Sequence, residues 1–343
     1  MARYMRVHAP AKRTQKTRRY NKYYVRMCKE KGVNILPTDK QYALRMSRYL
    51  SWLYWQTNAK GAPITSGVAN VCLGQLGAFW VENNISWQRK KHPQLALQLK
   101  WYKRYQPSDI YIRKPIMYPL LEKILQPLLY SKSLEKSTLA AAICIGHWFG
   151  GRAGEYTCSN YTLSEGDVML CHKHLQWSFR QEKVVSLAIT YEKSKVNQFG
   201  EKTEVVGVDC ACAQGGLCAP CIIWHMCQLK AQERRRPAKP HHPVLYYRKS
   251  KTKSRALGRD PISKHLKTEV AKYGLNPREY SLHSLRIGRA SDLARANMAR
   301  WLIAKWGRWT SDAWEKTYAR LNFLDMAKIT NTSINTWMAS NSN

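Results

Sequence analysis

Three side chains in the C-terminal part of this 343-residue chain are of types that handle a phosphate. His283 and Arg286 stand three apart in HSLRIGRAS, at the start of a strongly helical run, and so share one helix face. A guanidinium grips two non-bridging oxygens in a fork and an imidazole moves a proton, which suits a phosphate ester; a capped helix start with a surface arginine accounts for the same spacing. Thirty-two residues after Arg286, Tyr318 stands near the end of GRWTSDAWEKTYAR. It is either a nucleophile or, with Trp314 four residues before it, part of the aromatic stripe of a buried helix. Spacing alone leaves both readings open.

Other stretches have ligand chemistry of their own. CACAQGGLCAPCIIWHMC holds five of the ten cysteines, with His225 among them. Cys210-x-Cys212 followed by Cys218-x-x-Cys221 has the makings of a four-thiolate zinc site, while reduced structural thiols are the alternative. The basic runs ERRRPAKPHH and YRKSKTKSR, the latter with Arg248, Lys249, Lys251 and Lys253, are phosphate contacts or solvated loops.

The elements that must position these groups fall into two sets. From about 38 to 130 the apolar spacing is helical: DKQYALRMSRYLSWLYWQT repeats at steps of three and four, and ITSGVANVCLGQLGAFWVEN opens on a Ser/Thr cap. The Pro- and charge-rich YQPSDIYIRKP ends this helical domain. Beyond it, IMYPLLEKILQPLLYS and KSTLAAAICIGHWFGGRAGEY are helical. DVMLCHKHLQWSF, KVVSLAITYEKSK and the stretch after VNQFGEK then predict a three-stranded antiparallel sheet, with RQEK as the first turn. CIIWHMCQLKAQERRR, PISKHLKTEVAKYG and the chain from Leu282 onward return to helix.

Composition narrows the partner. The chain carries 57 Lys+Arg against 22 Asp+Glu, a formal charge of +35, and thirteen tryptophans in a 44% hydrophobic sequence. That hydrophobic content excludes a mostly disordered chain, and so large a positive surplus calls for a polyanion such as DNA or RNA. Residues 1–31 hold eleven basic residues, Arg18 and Arg19 among them, against Glu30 alone. They read as a basic arm over 1–35 that orders on nucleic acid, as a nuclear-import signal, or as a solvated tail. No apolar run is long enough for a membrane span or a secretory signal, so the expected setting is intracellular, and nuclear in a eukaryotic host.

HSLRIGRAS followed by GRWTSDAWEKTYAR resembles the C-terminal signature of the tyrosine recombinase (phage-integrase) family, and in particular its crypton and DIRS-type mobile-element branch. Trp309, nine residues before Tyr318, corresponds to the Cre-like, Trp-bearing variant of that site. The family also uses an arginine after a small-residue turn with an acid three residues on, which WFGGRAGEY supplies as Arg152 and Glu155. It uses a lysine on a β-hairpin, which Lys195 in YEKSKVNQFG matches.

The resemblance implies an α+β chain: an all-helical N-terminal core-binding domain (36–112), then a mainly helical catalytic domain with a small antiparallel sheet (113–325) and a C-terminal tail or helix (326–343) that is exchanged between protomers or packs on its own chain. It implies cleavage of double-stranded DNA through a 3′-phosphotyrosine on Tyr318, with Arg152 and Arg286 clamping the phosphate, His283 assisting the nucleophile and Lys195 as general acid. Trp309 bonds the phosphate or packs the site, Glu155 orients an arginine, and Arg308 is a further phosphate contact that competes with Trp309 for that role. Apart from zinc at Cys210, Cys212, Cys218 and Cys221, no cofactor is expected. A dimer on one DNA site and a tetramer in synapsis follow, within a clamp around the duplex. A type IB topoisomerase, a telomere resolvase and a domesticated DNA-binding protein that has lost catalysis are the rival readings.

Overall fold

The computed structural model describes residues 11–37, 42–58, 61–85, 87, 91–105, 113–157, 170–192, 203–234, 240–248 and 254–310. The chain divides into two units, Met1–Ile110 and Tyr111–Asn343.

Apolar residues at helical spacing build the first unit. Helix α1 (Ala11–Glu30) occupies most of the segment expected as a basic arm. Its Tyr24, Met27 and Cys28 fall on one helical face and are buried in the core of this unit, so the C-terminal half of the segment is a packed helix and not a free tail. Helix α2 (Tyr42–Tyr54) buries Met46, Tyr49, Leu50 and Leu53. Thr65 caps α3 (Ser66–Glu82) by accepting the Val68 N–H at 3.4 Å, as the Ser/Thr signal predicts. Helix α4 (Pro93–Tyr105) adds Leu95 and Tyr102. The centre is aromatic: the Tyr24 ring meets Tyr49 edge-on at 5.2 Å and Trp80 at 6.1 Å. Arg18 and Arg19 lie on α1, with their side chains outside the described set.

The second unit is α+β, mainly helical with a small antiparallel sheet. After α5 (Tyr118–Leu125), helix α6 (Leu134–His147) is capped by Ser133 and runs through the core, every residue from Ala140 to His147 being buried. A single turn, α7 (Ala153–Tyr156), follows. The sheet has the order β1 (Leu175–Arg180), β2 (Lys183–Tyr191), β3 (Glu204–Asp209). The RQEK turn is tight: Gln181 and Glu182 both take positive φ, at 47° and 62°, as a two-residue hairpin of primed type requires. Leu187, Ile189 and Val206 face the core, against which α8 (Ala219–Arg234) packs. Alternation along β2 is what selects that face.

One strand expectation is revised, and a further strand pair forms at a basic run. Within the described part of DVMLCHKHLQWSF, from Leu170 on, the strand starts at Leu175. His172–His174 forms a 3₁₀ turn because the His174 Nδ1 accepts the Cys171 N–H at 2.9 Å, offering the backbone a local partner in place of a ladder. The YRKSKTKSR stretch contributes to a second hairpin, β4 (Tyr246–Arg248) with β5 (Ser254–Ala256). Lys249, Lys251 and Lys253 lie outside the described residues, as does the side chain of Arg248. Helices α9 (Arg259–Lys272), α10 (Leu282–Arg295) and α11 (Arg300–Gly307) complete the described part. The C-terminal segment 326–343 lies outside it.

Candidate active site

Small residues turn the chain sharply after α6. Gly151 is packed against the ring of Tyr156, so that a Cβ there would come within 2.8 Å of it. This close approach places Arg152 at the N-terminus of α7, where its backbone N–H donates to Glu155 Oε2 at 2.8 Å. The Arg152 guanidinium turns back to the same carboxylate, Nη1 to Oε1 at 2.9 Å. Glu155 thus holds both ends of Arg152, as its three-residue spacing implies.

Arg286 lies in the second turn of α10, and the first turn is secured by the Ser281 N–H donating to Ser284 Oγ at 3.1 Å. The Arg286 side chain is 2% exposed, whereas His283, a turn earlier, is exposed. The Arg286 Nη2 donates to the carbonyl of Gly307, and the Trp309 ring lies 4.8 Å from its guanidinium carbon. That ring sits so tightly on Gly307 that a Cβ there would fall 1.9 Å from it, and only glycine fits. Trp309 therefore packs against Arg286, stacking as a cation–π partner and shielding it.

The two arginines meet at one turn. Arg152 Nη2 donates to the carbonyl of Arg308 at 3.3 Å, next to the Gly307 carbonyl that takes Arg286. Arg308 itself is in the left-handed conformation (φ 54°, ψ 48°), which presents these successive carbonyls.

Arg308 is the correction here. The sequence reading puts it among the phosphate contacts, but its side chain is turned inward and both Nη nitrogens are held by protein acceptors. Nη2 donates to Glu155 Oε2 at 2.7 Å and to the Gly150 carbonyl at 2.9 Å, Nη1 reaches Glu204 Oε2 at 3.5 Å, and the guanidinium lies 3.8 Å above the Tyr191 ring. It is a buried brace, because two carboxylates and an aromatic face meet it from three other elements. Burial pushes the Glu155 carboxyl up, but the Arg308 and Arg152 guanidiniums outweigh it and hold Glu155 below the usual carboxylate range. Burial also works against the charge on Arg308, which Tyr191, Glu155 and Glu204 more than restore.

Tyr191 and Glu204 bracket the connection that carries Lys195. They are the last residue of β2 and the first of β3, paired across the hairpin, and both contact Arg308. Lys195 and Tyr318 lie outside the described residues. Trp309 is the second-last described residue, nine before Tyr318.

Behind this layer, His147 ties α6 to α10. Its Nδ1 donates to the Leu285 carbonyl at 3.2 Å, and its Nε2 faces Asp292 Oδ2 at 3.6 Å. Burial, with Arg289 nearby, keeps His147 neutral. Burial pushes Asp292 up to about 6, against the opposing Tyr118 N–H and the Arg289 and Arg295 charges. Sequence reasoning missed this pair, since a histidine inside an apolar helix carries no spacing signal.

No family model and no curated protein matches the chain. Solved structures do. The Tn1549 transposon integrase in complex with transposon right-end DNA is similar at 15% identity, over 97% of this chain and 98% of that one, with a TM-score of 0.53. The chain has the integrase catalytic fold. A complex of the same integrase with a circular-intermediate DNA is similar over 96% of this chain and 97% of that one, at 14% identity and a TM-score of 0.50. A lambda integrase dimer bound to a core site covers 93% of each chain, at 14% identity and a TM-score of 0.49. Within the integrase fold described here, the turn at Gly307–Arg308 is where the two arginine-bearing elements converge.

Proposed function

We propose that this chain is a tyrosine recombinase that cleaves and rejoins double-stranded DNA. The single observation that carries the reading is the convergence of Arg152 and Arg286 on successive carbonyls of Gly307 and Arg308, eleven and ten residues ahead of Tyr318. Two permanently protonated forks side by side suit a phosphate, and the +35 charge suits the polyanion that bears it.

In this mechanism the Tyr318 oxygen attacks the scissile phosphorus in line with the leaving 5′-oxygen. The Tyr318 O–P bond forms as the P–O5′ bond breaks, giving a 3′-phosphotyrosine and a 5′-hydroxyl. Arg152 and Arg286 neutralise charge on the non-bridging oxygens as it grows in the transition state. A phenol with a pKa of about 10 must lose its proton to react at neutral pH; exposed His283 takes it or steadies the phenolate. Lys195, on the hairpin whose base touches Arg308, protonates the departing O5′. Attack by a second strand's 5′-hydroxyl reverses the step, so the phosphoester energy is conserved and rejoining needs no ATP. Trp309 keeps the Arg286 guanidinium in place. The GRWTSDAW run favours the crypton and DIRS-type branch, and dimers on each DNA site would assemble into a tetramer.

A nicked duplex carrying the target site traps the covalent adduct, because the short 5′-hydroxyl strand diffuses away. Wild-type protein should accumulate the adduct, and Tyr318→Phe should bind DNA without forming it. An adduct formed by Tyr318→Phe, or none formed by wild type on any cognate site, overturns the proposal. Relaxation of supercoiled plasmid by monomeric protein would instead favour the topoisomerase.

A further inference from the structure

Cys210 and Cys212 follow directly on β3, Cys218 immediately precedes α8, and Cys221 lies in its first turn. A short loop, turned at Gly215 in the left-handed conformation, brings the two pairs together. Their four sulfurs all lie within 4.8 Å of one another: Cys212 to Cys221 is 3.3 Å, Cys210 to Cys218 is 3.5 Å and Cys210 to Cys221 is 3.7 Å. Tetrahedral zinc with Zn–S bonds of about 2.3 Å needs sulfurs about 3.8 Å apart, which lies between these three distances and the 4.8 Å bound. The separations are well beyond the roughly 2.05 Å of a disulfide.

We propose that Cys210, Cys212, Cys218 and Cys221 bind one Zn²⁺ as a closed four-thiolate site. The neighbouring candidates are otherwise engaged: His225 Nε2 is bonded to the Ser131 carbonyl at 3.1 Å, and Cys227 lies further along α8, packed against the hydrophobic core. Four protein sulfurs leave no open position for a substrate, so the metal acts structurally. It joins the end of β3 to the start of α8, where Cys210 N–H already donates to Val185 O at 2.7 Å and Leu217 N–H to Tyr118 Oη at 2.8 Å. The opposite end of β3 is Glu204, which braces Arg308. Fixing one end of this six-residue strand steadies the other. Soft thiolates in a tetrahedron select zinc or iron over the hard divalent cations. The site is independent of the DNA-cleavage reading and stands whether or not that reading does.

The test uses the full chain purified under reducing conditions and dialysed exhaustively. Elemental analysis should find one zinc per chain, and cobalt substitution should give thiolate charge-transfer bands with the intense visible bands of a tetrahedral centre. A Cys212→Ser/Cys221→Ser double variant should lose the zinc, while Cys171→Ser keeps it. Because loss of the clasp can unfold the double variant, titration of the wild-type chain with a mercurial thiol reagent gives a second readout: zinc should appear in step with the blocking of four thiols. Sub-stoichiometric metal with no cobalt spectrum overturns the proposal. So does zinc that survives the double variant, or bound iron in place of zinc.

Discussion

Arg152 and Arg286 donate to adjacent backbone carbonyls, those of Arg308 and Gly307, although one caps α7, the other lies within α10, and they are far apart in the chain. The turn that offers these carbonyls is held by Arg308, whose own guanidinium is spent on Glu155, Gly150 and Glu204. Positioning of the two forks therefore depends on a third arginine that faces inward.

Glu155 is the residue through which that dependence is tested. Removing it with Glu155→Ala leaves the buried Arg308 charge without its closest partner, and loss of one member of a buried pair costs about 3–5 kcal/mol. Thermal unfolding should shift down accordingly, and adduct formation should fall with it. Glu155 also sets an acid limb. Its folded pKa lies below the unfolded value, so its contribution is present above the ordinary carboxylate range and is lost as pH falls through the folded pKa. In Glu155→Gln that acid limb should weaken.

Gly307→Ala tests the contact between Trp309 and Arg286. The added Cβ would overlap the indole, which must move away from the guanidinium. Overpacking of this kind costs about 1–3 kcal/mol. Tryptophan fluorescence should report a changed environment, and cleavage should drop by more than the stability loss explains. Unchanged cleavage with a lowered melting temperature would sink the assigned role of Trp309.

Asp292 should carry a pH dependence of opposite sign to that of Glu155. Its folded pKa is raised to about 6 from an ordinary 3.8, so the fold disfavours its charged form. Stability from this group is fully present below about pH 4 and is lost as pH rises towards 6, a change of roughly 2–3 kcal/mol. Asp292→Asn keeps an acceptor for the Tyr118 N–H and removes the buried charge. Denaturant unfolding should find the variant more stable than wild type at pH 7, with the difference vanishing near pH 4.

Arg152→Lys separates charge from the fork. A lysine keeps the positive charge but not the bidentate geometry or the bond to the Arg308 carbonyl. DNA affinity should change little, whereas adduct formation should slow by about 10²–10³-fold, the range for losing one donor to a developing oxyanion. Single-turnover cleavage on the nicked duplex measures this, with filter binding as the control.

Much of the fold is legible in the chain. The caps at Thr65 and Ser133, the RQEK hairpin and the apolar alternation of β2 each act over a few residues, which is the range that sequence pattern resolves. Arg152 and Glu155 are legible for the same reason, being joined within one turn. Arg308 is not. Beside a tryptophan in a chain so rich in positive charge it looks like a surface cation, and nothing local distinguishes it from its neighbours.

By itself, then, the sequence determined which side chains could handle a phosphate, the local helices and hairpins that carry them, and the charge that draws a polyanion. Tertiary structure alone decided that Arg286 is buried beside Trp309, that Arg308 serves the fold, that His147 and Asp292 meet, and that four cysteine sulfurs come within 4.8 Å of one another. The physical reason is range. Caps, turns and periodicity are settled by neighbours in the chain, whereas the burial of a charge is settled by whichever carboxylates and rings distant elements bring to it.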